Sequence, residues 1–513
     1  MSRWRCFGAS VTKSQLAALP SKRWSDPQVV SNAPMTNKPT RLLLSVLALL
    51  GQFALTGSAS AAETPRVFRA SATTSNITPP LGCSINGGFQ DGKAAHIHDE
   101  LHARCLVLDD GATKLALVIV DSCVVQRSIF DEAKRQVLES TGLPMENMLM
   151  SATHSHSCGT LTAVGQSEPD PAYQKFVAHR IADGVRRALS NLAPARIGWG
   201  CGEVPQHVFN RRWRLKPGTV PVNPLGGAND QVRTNPGIHN PNLVQPAGPT
   251  DPQVWFISVQ STDGRPIALY ANYSLHYVGG VGPGHISADY FGAFAERIQE
   301  LLGADRQDPP FVGMMTNGTS GDINNINFRV ARPRQQPYEQ IRVVANDVAQ
   351  EVARVGKTLR HHDWVPLAVA QKELALNLRL PSADEITNAR AIMSQSKALP
   401  RMETIEQVYA RETVLLGEFP AQISAPLQVL KIGDLRVAAF PAEAFVEIGL
   451  ELKRRHPTSF IVTLANAYHG YLPTPEHHRL GGYETWRARS SCLEVNASTK
   501  IVDGIEELFD RLK

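Results

Sequence analysis

Two histidines one residue apart, His154 and His156, follow an apolar segment at 148–150 that has the character of a buried strand. Side chains alternate faces along a strand, so this spacing predicts that both imidazoles project to one side at the strand's carboxyl end. Imidazole is a common zinc ligand, and the pair therefore indicates part of a metal site. A structural histidine pair is the alternative at this point.

His276 is a second candidate ligand. It ends the apolar segment 267–275 and precedes a glycine-rich loop at 279–284. A histidine between a strand and a flexible loop stands where α/β proteins place ligands and catalytic groups. A lone histidine in this position is also compatible with a purely structural role.

Three further segments place polar groups after apolar strands. They are the polar turn 317–325, Glu443 between a strand and a helix, and the aromatic loop 466–476 followed by 482–484. Each has a simpler explanation, namely a tight turn, an acidic residue in the first turn of a helix, or an aromatic loop.

The spacing of apolar residues predicts the elements that would position these groups. Intervals of three and four residues predict helices at 128–140, 171–192, 288–302, 338–359, 442–455 and 500–512. Apolar runs predict strands at 146–151, 254–260, 266–275, 311–316, 427–432, 435–440 and 460–465. A hairpin pairs 106–108 with a strand at 115–121 that is buried on both faces. The mixture predicts an α/β (mixed α+β) fold of layered mixed β-sheets with flanking helices.

One long segment, 216–252, is rich in Pro, Gly and Asn and has no hydrophobic period. A segment of this length inside a compact domain is usually a functional loop or an insertion. Its flanks lie close to strand signals, which favours a loop over an active-site mouth. A domain linker is the alternative.

Composition places the chain among folded globular proteins, with 42% hydrophobic and 19% charged residues. The formal net charge of +5 comes from the N-terminal region, because residues 1–61 hold seven of the 52 basic residues and only one of the 47 acidic ones. The remainder, with 45 basic and 46 acidic residues, is nearly neutral. The charge therefore gives no support for a nucleic-acid partner.

The N-terminal region predicts export. Residues 35–41 are basic, an apolar run extends from 42 to 55, and Ala59-Ser60-Ala61 fits a cleavage site, so 35–61 has the pattern of a signal peptide. Residues 1–34 are interpreted as an upstream extension, and 62–513 as the mature domain. An exported protein is secreted or periplasmic, where its six remaining cysteines could form disulfides, although their spacing selects no pairing.

Together these segments resemble the neutral/alkaline, non-lysosomal ceramidase family of exported zinc amidases. The likeness runs through the whole mature chain in order: Asn76 to Gly82, Thr153-His154-Ser155-His156-Ser157, Asn210-Arg211, His276, Gly321-Asp322, Pro441-Ala442-Glu443, Tyr468-x-x-Tyr471 and Tyr483-Glu484. Gly318 stands where that family has a serine, and Tyr277 where it usually has a proline.

The resemblance implies the ceramidase catalytic-domain fold, without the C-terminal Ig-like domain of full-length ceramidases because the chain ends at Lys513. It further implies one Zn²⁺ held by His154, His276, Glu443 and Tyr471. By the same resemblance, His156 lies beside the metal and shuttles a proton, Arg211 orients the substrate, and Tyr483 donates to an oxyanion.

The function predicted from this resemblance is zinc-dependent hydrolysis, by zinc-activated water, of a C–N amide bond in an N-acylated or lipid-like substrate such as a sphingolipid. Peripheral contact with membrane lipid is expected, and no obligatory protein partner is inferred. Two alternatives stay open: a zinc esterase or other metallohydrolase, and a non-catalytic periplasmic binding protein on the same scaffold.

Overall fold

The computed structural model describes residues 66–513 except Arg332 and Arg334. The predicted extension at 1–34 and signal peptide at 35–61 lie outside the described residues. The described part contains nine α-helices: α1 Arg127–Thr141, α2 Pro171–Ser190, α3 Asp289–Leu301, α4 Glu339–Gly356, α5 Ala383–Met393, α6 Ile405–Leu416, α7 Val446–Arg455, α8 Pro475–Leu480 and α9 Ala497–Arg511. All six helices predicted from the sequence are present.

The largest sheet has eight strands. In spatial order they are Val312–Asn317, Pro266–Tyr273, Gln253–Ser261, Ala193–Glu203, Arg69–Asn76, His102–Asp109, Lys114–Val120 and Met148–Ala152. The first pair and the last pair are parallel, and all other neighbours are antiparallel. A second sheet has four strands, in the order Leu367–Asn377, Gln422–Ile432, Leu435–Ala439 and Ser459–Val462. The predicted mixed α/β fold with layered sheets is confirmed.

The two sheets pack face to face between layers of helices. The strand His102–Asp109 illustrates the reason, because its side chains alternate between two cores. Leu106 and Leu108 face the four-stranded sheet in one core, whereas Cys105 and Val107 belong to the core under α1 and α2. Helices α3 and α4 cover the other end of the large sheet, and α7 and α9 cover the outer face of the small one. The layer order is therefore helix, sheet, sheet, helix.

The two edges of the eight-stranded sheet approach each other, and a single segment at 463–466 bridges them. Thr463 N donates to Asn317 O at one edge (3.0 Å), and Asn466 N donates to Met150 O at the other (2.7 Å). Asn317 Nδ2 also donates directly to Thr153 O (3.3 Å). The carboxyl ends of edge strands that are far apart in sheet order therefore meet. His154 follows one edge strand, and His276 follows Pro266–Tyr273, the neighbour of the other, so the two histidines are brought together.

The segment 216–252 contains more regular structure than its composition predicts. Val232–Thr234 and Leu243–Pro246 each pair with Arg212–Leu215 to form a three-stranded sheet. The remaining strands of the described chain are two-residue pairings: Ser84–Ile85 with Gly92–Lys93, His96–Ile97 with His285–Ile286, Phe209–Asn210 with Ile323–Asn324, and Glu443–Ala444 with Tyr471–Leu472. Strands this short carry no readable alternation, so sequence periodicity did not find them.

No helix within 66–513 combines the length and apolar character that a membrane span requires. The cysteines from Cys83 to Cys492 are all free thiols.

Lys134 on α1 is a buried lysine at the bridge between the sheet edges. Its Nζ donates to Asn466 Oδ1 (2.8 Å), and burial lowers the pKa of Lys134 from 10.5 to about 8 although Asp131 opposes the shift. Between these two pH values the unfolded chain binds a proton that the folded chain does not, so the free energy of unfolding rises with pH across the window. The full difference is about 3 kcal/mol.

Lys134→Met is expected to remove this contribution. Urea unfolding of the variant between pH 7 and 10 is expected to show a smaller rise in stability with pH than the wild type. Lys175→Met, at an exposed position on α2, is the control and keeps the wild-type slope. Equal slopes for wild type and Lys134→Met would contradict the assignment.

Candidate active site

Three of the predicted metal ligands converge in the interior. His154, His276 and Glu443 each bring one ligand atom to a common point, and all three residues are buried. His154 Nε2 lies 3.0 Å from His276 Nε2 and 3.2 Å from Glu443 Oε2, and His276 Nε2 lies 3.8 Å from the same oxygen. Each ligand follows a strand. Two of these strands belong to the eight-stranded sheet, whose edges are bridged, and the third belongs to the four-stranded sheet.

Hydrogen bonds on the far side of each ring fix the state of the imidazoles. His154 Nδ1 lies 2.8 Å from Cys123 O, and His276 Nδ1 lies 2.9 Å from Ser320 O. A carbonyl oxygen only accepts, so each Nδ1 carries a proton, and the two Nε2 atoms face each other. Glu443 Oε2 is buried beside them and makes no hydrogen bond. Two Nε2 atoms and a carboxylate oxygen that face one another in this way suit a shared cation, which a proton or a metal ion could supply.

The pKa values express the same preference for a cation. Burial lowers the pKa of His154, but Glu443 and Cys123 raise it to about 10. Burial raises the pKa of Glu443, but His154, Arg211 and a hydrogen bond from Tyr468 lower it below its usual value. Burial, Arg211 and His154 hold the pKa of His276 well below 6.5. The group therefore contains an ionised Glu443, a neutral His276 and a His154 that holds a proton against Glu443, so positive charge is favoured at this point.

Tyr471 reaches this group through the two-residue pairing with Glu443. Its hydroxyl accepts a hydrogen bond from Arg211 Nη2 (3.1 Å), and Arg211 Nη1 lies 3.2 Å from His276 Nε2. Arg211 is itself held by Glu484, whose Oε1 accepts from Nε at 3.0 Å. The structure thus places the predicted ligand Tyr471 and the predicted substrate-orienting Arg211 beside the histidines.

His156 also lies at the site, but for a different reason than the sequence argument gave. The strand ends at Ala152, and His154 takes a left-handed conformation with φ 82°, so strand alternation does not operate here. Strained backbone of this kind is concentrated at functional sites. The resulting turn places His156 Nε2 3.3 Å from His154 Nε2, and the His156 ring stacks on Tyr277 at 3.8 Å between centroids.

Tyr483 lies in the wall of a cavity of about 800 Å³ whose floor is formed by His156, Arg211, His276 and Tyr471. Its ring makes edge contacts with Phe89, Tyr471 and Trp486 at centroid distances of 5.8, 5.6 and 6.0 Å. Burial and Glu443 raise the pKa of Tyr483, so its hydroxyl keeps its proton.

The segment 216–252 supplies one side of this cavity through residues 220–224, Gly226 and 232–235. Thr234 anchors it, because its Oγ1 donates to Glu484 Oε2 (2.7 Å). Part of the segment therefore lies at the mouth of the cavity, which is the position predicted for it.

Gly318 has a steric explanation. A Cβ at this position would lie 2.6 Å from Ser274 Oγ and 3.1 Å from the Ser274 backbone. The serine expected from the ceramidase resemblance would therefore need Ser274 to move, and the glycine fits because Ser274 already fills the space.

Several residues that hold the site have no role predicted from the sequence. Tyr468 donates to Glu443 Oε1 (2.9 Å), and Glu484 binds both Arg211 and Arg212. Both residues stand in the quoted aromatic motifs, so their position was a usable signal. Cys123 places its Sγ 3.9 Å from His154 Nδ1, and nothing in its sequence context indicates that contact.

The arrangement fits zinc. Two imidazole nitrogens, a carboxylate and a phenol are donors that Zn²⁺ accepts, and each histidine donates its other N–H to a carbonyl, as zinc ligands do. The orphaned Glu443 Oε2 is the acceptor that such an ion would satisfy.

The chain has detectable relatives among ceramidases. It is 28% identical over 142 residues to the neutral ceramidase of Mycobacterium tuberculosis, a match that covers 25% of this chain and 22% of the relative. The matched part is thus about a fifth of that relative's length. No family model matches the sequence.

Solved structures extend the likeness to most of the chain. The crystal structure of neutral ceramidase from Pseudomonas aeruginosa superposes with a TM-score of 0.61 at 17% identity, covering 87% of this chain and 74% of that one. A structure of ceramidase complexed with C2 gives a TM-score of 0.62 at 16% identity with the same coverage. The resemblance to neutral ceramidases is confirmed, and the chain has a ceramidase-like fold.

Proposed function

We propose that this protein is an exported, zinc-dependent hydrolase that cleaves the amide bond of an N-acylated, lipid-like substrate. The observation that carries the proposal is the convergence of the His154 and His276 Nε2 atoms on Glu443 Oε2, a buried oxygen that accepts no hydrogen bond. The likeness to neutral ceramidases supports the amide as the bond that is cleaved. The leader pattern at 35–61 supports a secreted or periplasmic location.

The cavity supports a substrate that is apolar over much of its length. Phe89, Ile405 and Val222 lie around its mouth and are each more than a third exposed. They suit an acyl chain and peripheral contact with a lipid surface. The proposed catalytic groups His156, Arg211 and Tyr471 line the same cavity, and the scissile amide would lie beside them.

His154, His276, Glu443 and Tyr471 would hold the zinc, which when bound acts as a Lewis acid and lowers the pKa of a bound water to about 7. Arg211 orients the substrate carbonyl. Burial, His154 and Arg211 keep the pKa of His156 well below 6.5, so its neutral imidazole can accept a proton from the attacking water. His156 then gives that proton to the leaving nitrogen, and the products are a carboxylic acid and an amine.

A panel of N-acyl amides and matched esters tests the proposal. We expect the purified protein to release amine and fatty acid from amides, to lose this activity on chelation and to regain it with Zn²⁺. Turnover of esters alone would establish the esterase alternative. If zinc-loaded protein turns over neither class, the binding-protein alternative replaces the proposal.

Tyr483→Phe tests the proposed oxyanion contact. The change removes only a hydroxyl, which matters more in the transition state than in the bound substrate. We expect kcat to fall by about 10²–10³ with KM little changed, since an oxyanion donor contributes roughly 2.7–4 kcal/mol. Tyr409→Phe, in the same aromatic cluster but outside the cavity wall, is the control. Wild-type turnover by Tyr483→Phe would show that this tyrosine only packs.

A further inference from the structure

A second group of metal-binding type lies apart from the first. Asp322, Glu447 and His477 come from three segments, and one ligand atom of each lies within 4.8 Å of the others. His477 Nε2 is 3.3 Å from Glu447 Oε1. Asp322 and His477 are buried, and Glu447 is partly exposed. The cluster therefore combines two carboxylates and one imidazole in a largely dry environment.

Within the described chain, no arginine or lysine forms an ion pair with either carboxylate of the cluster. The side chain of Asp322 accepts from Asn210 Nδ2 (2.7 Å) and Val446 N (2.9 Å), which are both neutral. Nearby Arg212 is already bound to Glu484 and Gly481 O. Among the described residues, the histidine of the cluster itself is the only ion-pair partner of either carboxylate. Buried carboxylates are normally paired or bound to a metal ion.

One carboxylate oxygen is also left without a partner. Glu447 Oε2 is buried and makes no hydrogen bond within the part of the chain that is described. An unsatisfied buried acceptor costs free energy. A bound cation would remove this cost, so Glu447 Oε2 is suited to be a ligand atom.

The surroundings hold the three groups in place. Thr474 Oγ1 lies 2.7 Å from His477 Nδ1, which orients the ring as partners of metal-bound histidines do. Gly248, from the segment 216–252, covers the cluster so closely that a Cβ there would collide with Glu447 Oε1 and lie 3.5 Å from Asp322 Oδ2. A side chain at position 248 would displace Glu447 or Asn210.

We propose that Asp322, Glu447 and His477 bind a second divalent cation. The imidazole favours a transition-series ion such as Zn²⁺ or Mn²⁺, because Ca²⁺ takes six to eight oxygen ligands. The ion orders the active site rather than taking part in the reaction. Its ligands lie on the same segments of the chain as the proposed active-site residues. This ordering role rests on the proposed function.

Two contacts illustrate that coupling. Arg211 N donates to Asp322 O (2.8 Å), and Arg211 Nη2 donates to Gly321 O (2.6 Å). Glu447 follows Glu443 by four residues, and His477 lies between Tyr471 and Tyr483. Fixing the cluster therefore fixes the backbone on which four site residues stand.

Zinc stoichiometry of the full-length protein tests the proposal. After stripping with a chelator and reloading with Zn²⁺, we expect two ions per wild-type chain and one in Glu447→Gln. Glu451→Gln carries the same substitution one turn further along α7, at a surface ion pair, and is expected to keep two. In the His276→Ala background, Zn²⁺ is expected to raise Tm, and adding Glu447→Gln is expected to abolish that rise.

The result that overturns the proposal is equal zinc content in wild type and Glu447→Gln. Should that variant fail to fold, crystals of wild type soaked in Zn²⁺ decide, since anomalous scattering is expected at the cluster and its absence rejects the site. Failure of the proposed function is separate, because it would appear as absent turnover of amides by wild-type protein whatever its zinc content at the cluster.

Discussion

Replacing His276 by alanine is expected to remove one zinc ion per chain and to reduce hydrolysis to background. His276 supplies one of the two Nε2 atoms that face Glu443 Oε2. Without it, the site has too few ligand atoms to hold a zinc ion tightly. Loss of a residue that merely orients a zinc ligand already lowers metal affinity or activity by about 10–100-fold, and loss of a ligand should exceed that. His154→Ala is expected to behave in the same way.

Elemental analysis after dialysis measures the effect. Glu443→Gln is a more conservative companion, because it retains the shape of the side chain and can still accept from Tyr468, while it removes the charge. His179→Ala, at an exposed position on α2, controls for loss of an arbitrary histidine. Full zinc occupancy in His154→Ala and His276→Ala would eliminate this site.

The main elements were predictable because their burial is regular. The strand Lys114–Val120 is buried along nearly its whole length, and its apolar run was read correctly as a strand covered on both faces. Helices α5 and α6 were missed although each begins with a capping box, Ser382 with Glu385 and Thr404 with Gln407. Those capping residues were a local signal that apolar spacing alone does not contain.

Another strand could not be predicted from the sequence because it is rich in glycine. The strand Ala193–Glu203 carries Gly198, Gly200 and Gly202, and it lacks the alternation that predicts a strand. The structure gives the reason, because a Cβ at Gly200 would collide with Leu359 and one at Gly202 with Glu351. Because α4 and the chain that follows it pack closely against this strand, glycine is needed at these positions, and the strand lacks apolar–polar alternation.

The meeting of the ligands could not be derived from local pattern. His154 and His276 follow strands near opposite edges of the eight-stranded sheet. The bridge at 463–466, together with the contact between Asn317 and Thr153, brings those edges together. The ligand set came from the family resemblance, and the structure supplies its geometric basis. The helix predicted at 442–455 begins only at Val446, because Glu443 pairs with Tyr471 instead.

His156 provides the second large expected effect. Its Nε2 lies beside His154 Nε2. His156 is, however, not part of the group in which ligand atoms of His154, His276 and Glu443 lie close together. We therefore expect His156→Ala to retain the zinc ion and to lose roughly 10²–10⁴-fold in turnover, the usual scale for general acid–base catalysis.

Two measurements separate this role from a structural one. Zinc content is expected to match the wild type, and added imidazole is expected to restore part of the turnover of His156→Ala, because a free imidazole can enter the space left open to the cavity. Tyr277→Phe retains the ring that stacks on His156 and controls for packing. If His156→Ala instead loses the zinc ion, His156 is itself a ligand, and Cys123, which also groups with His154 and His156, becomes the next residue to test as a member of the coordination set.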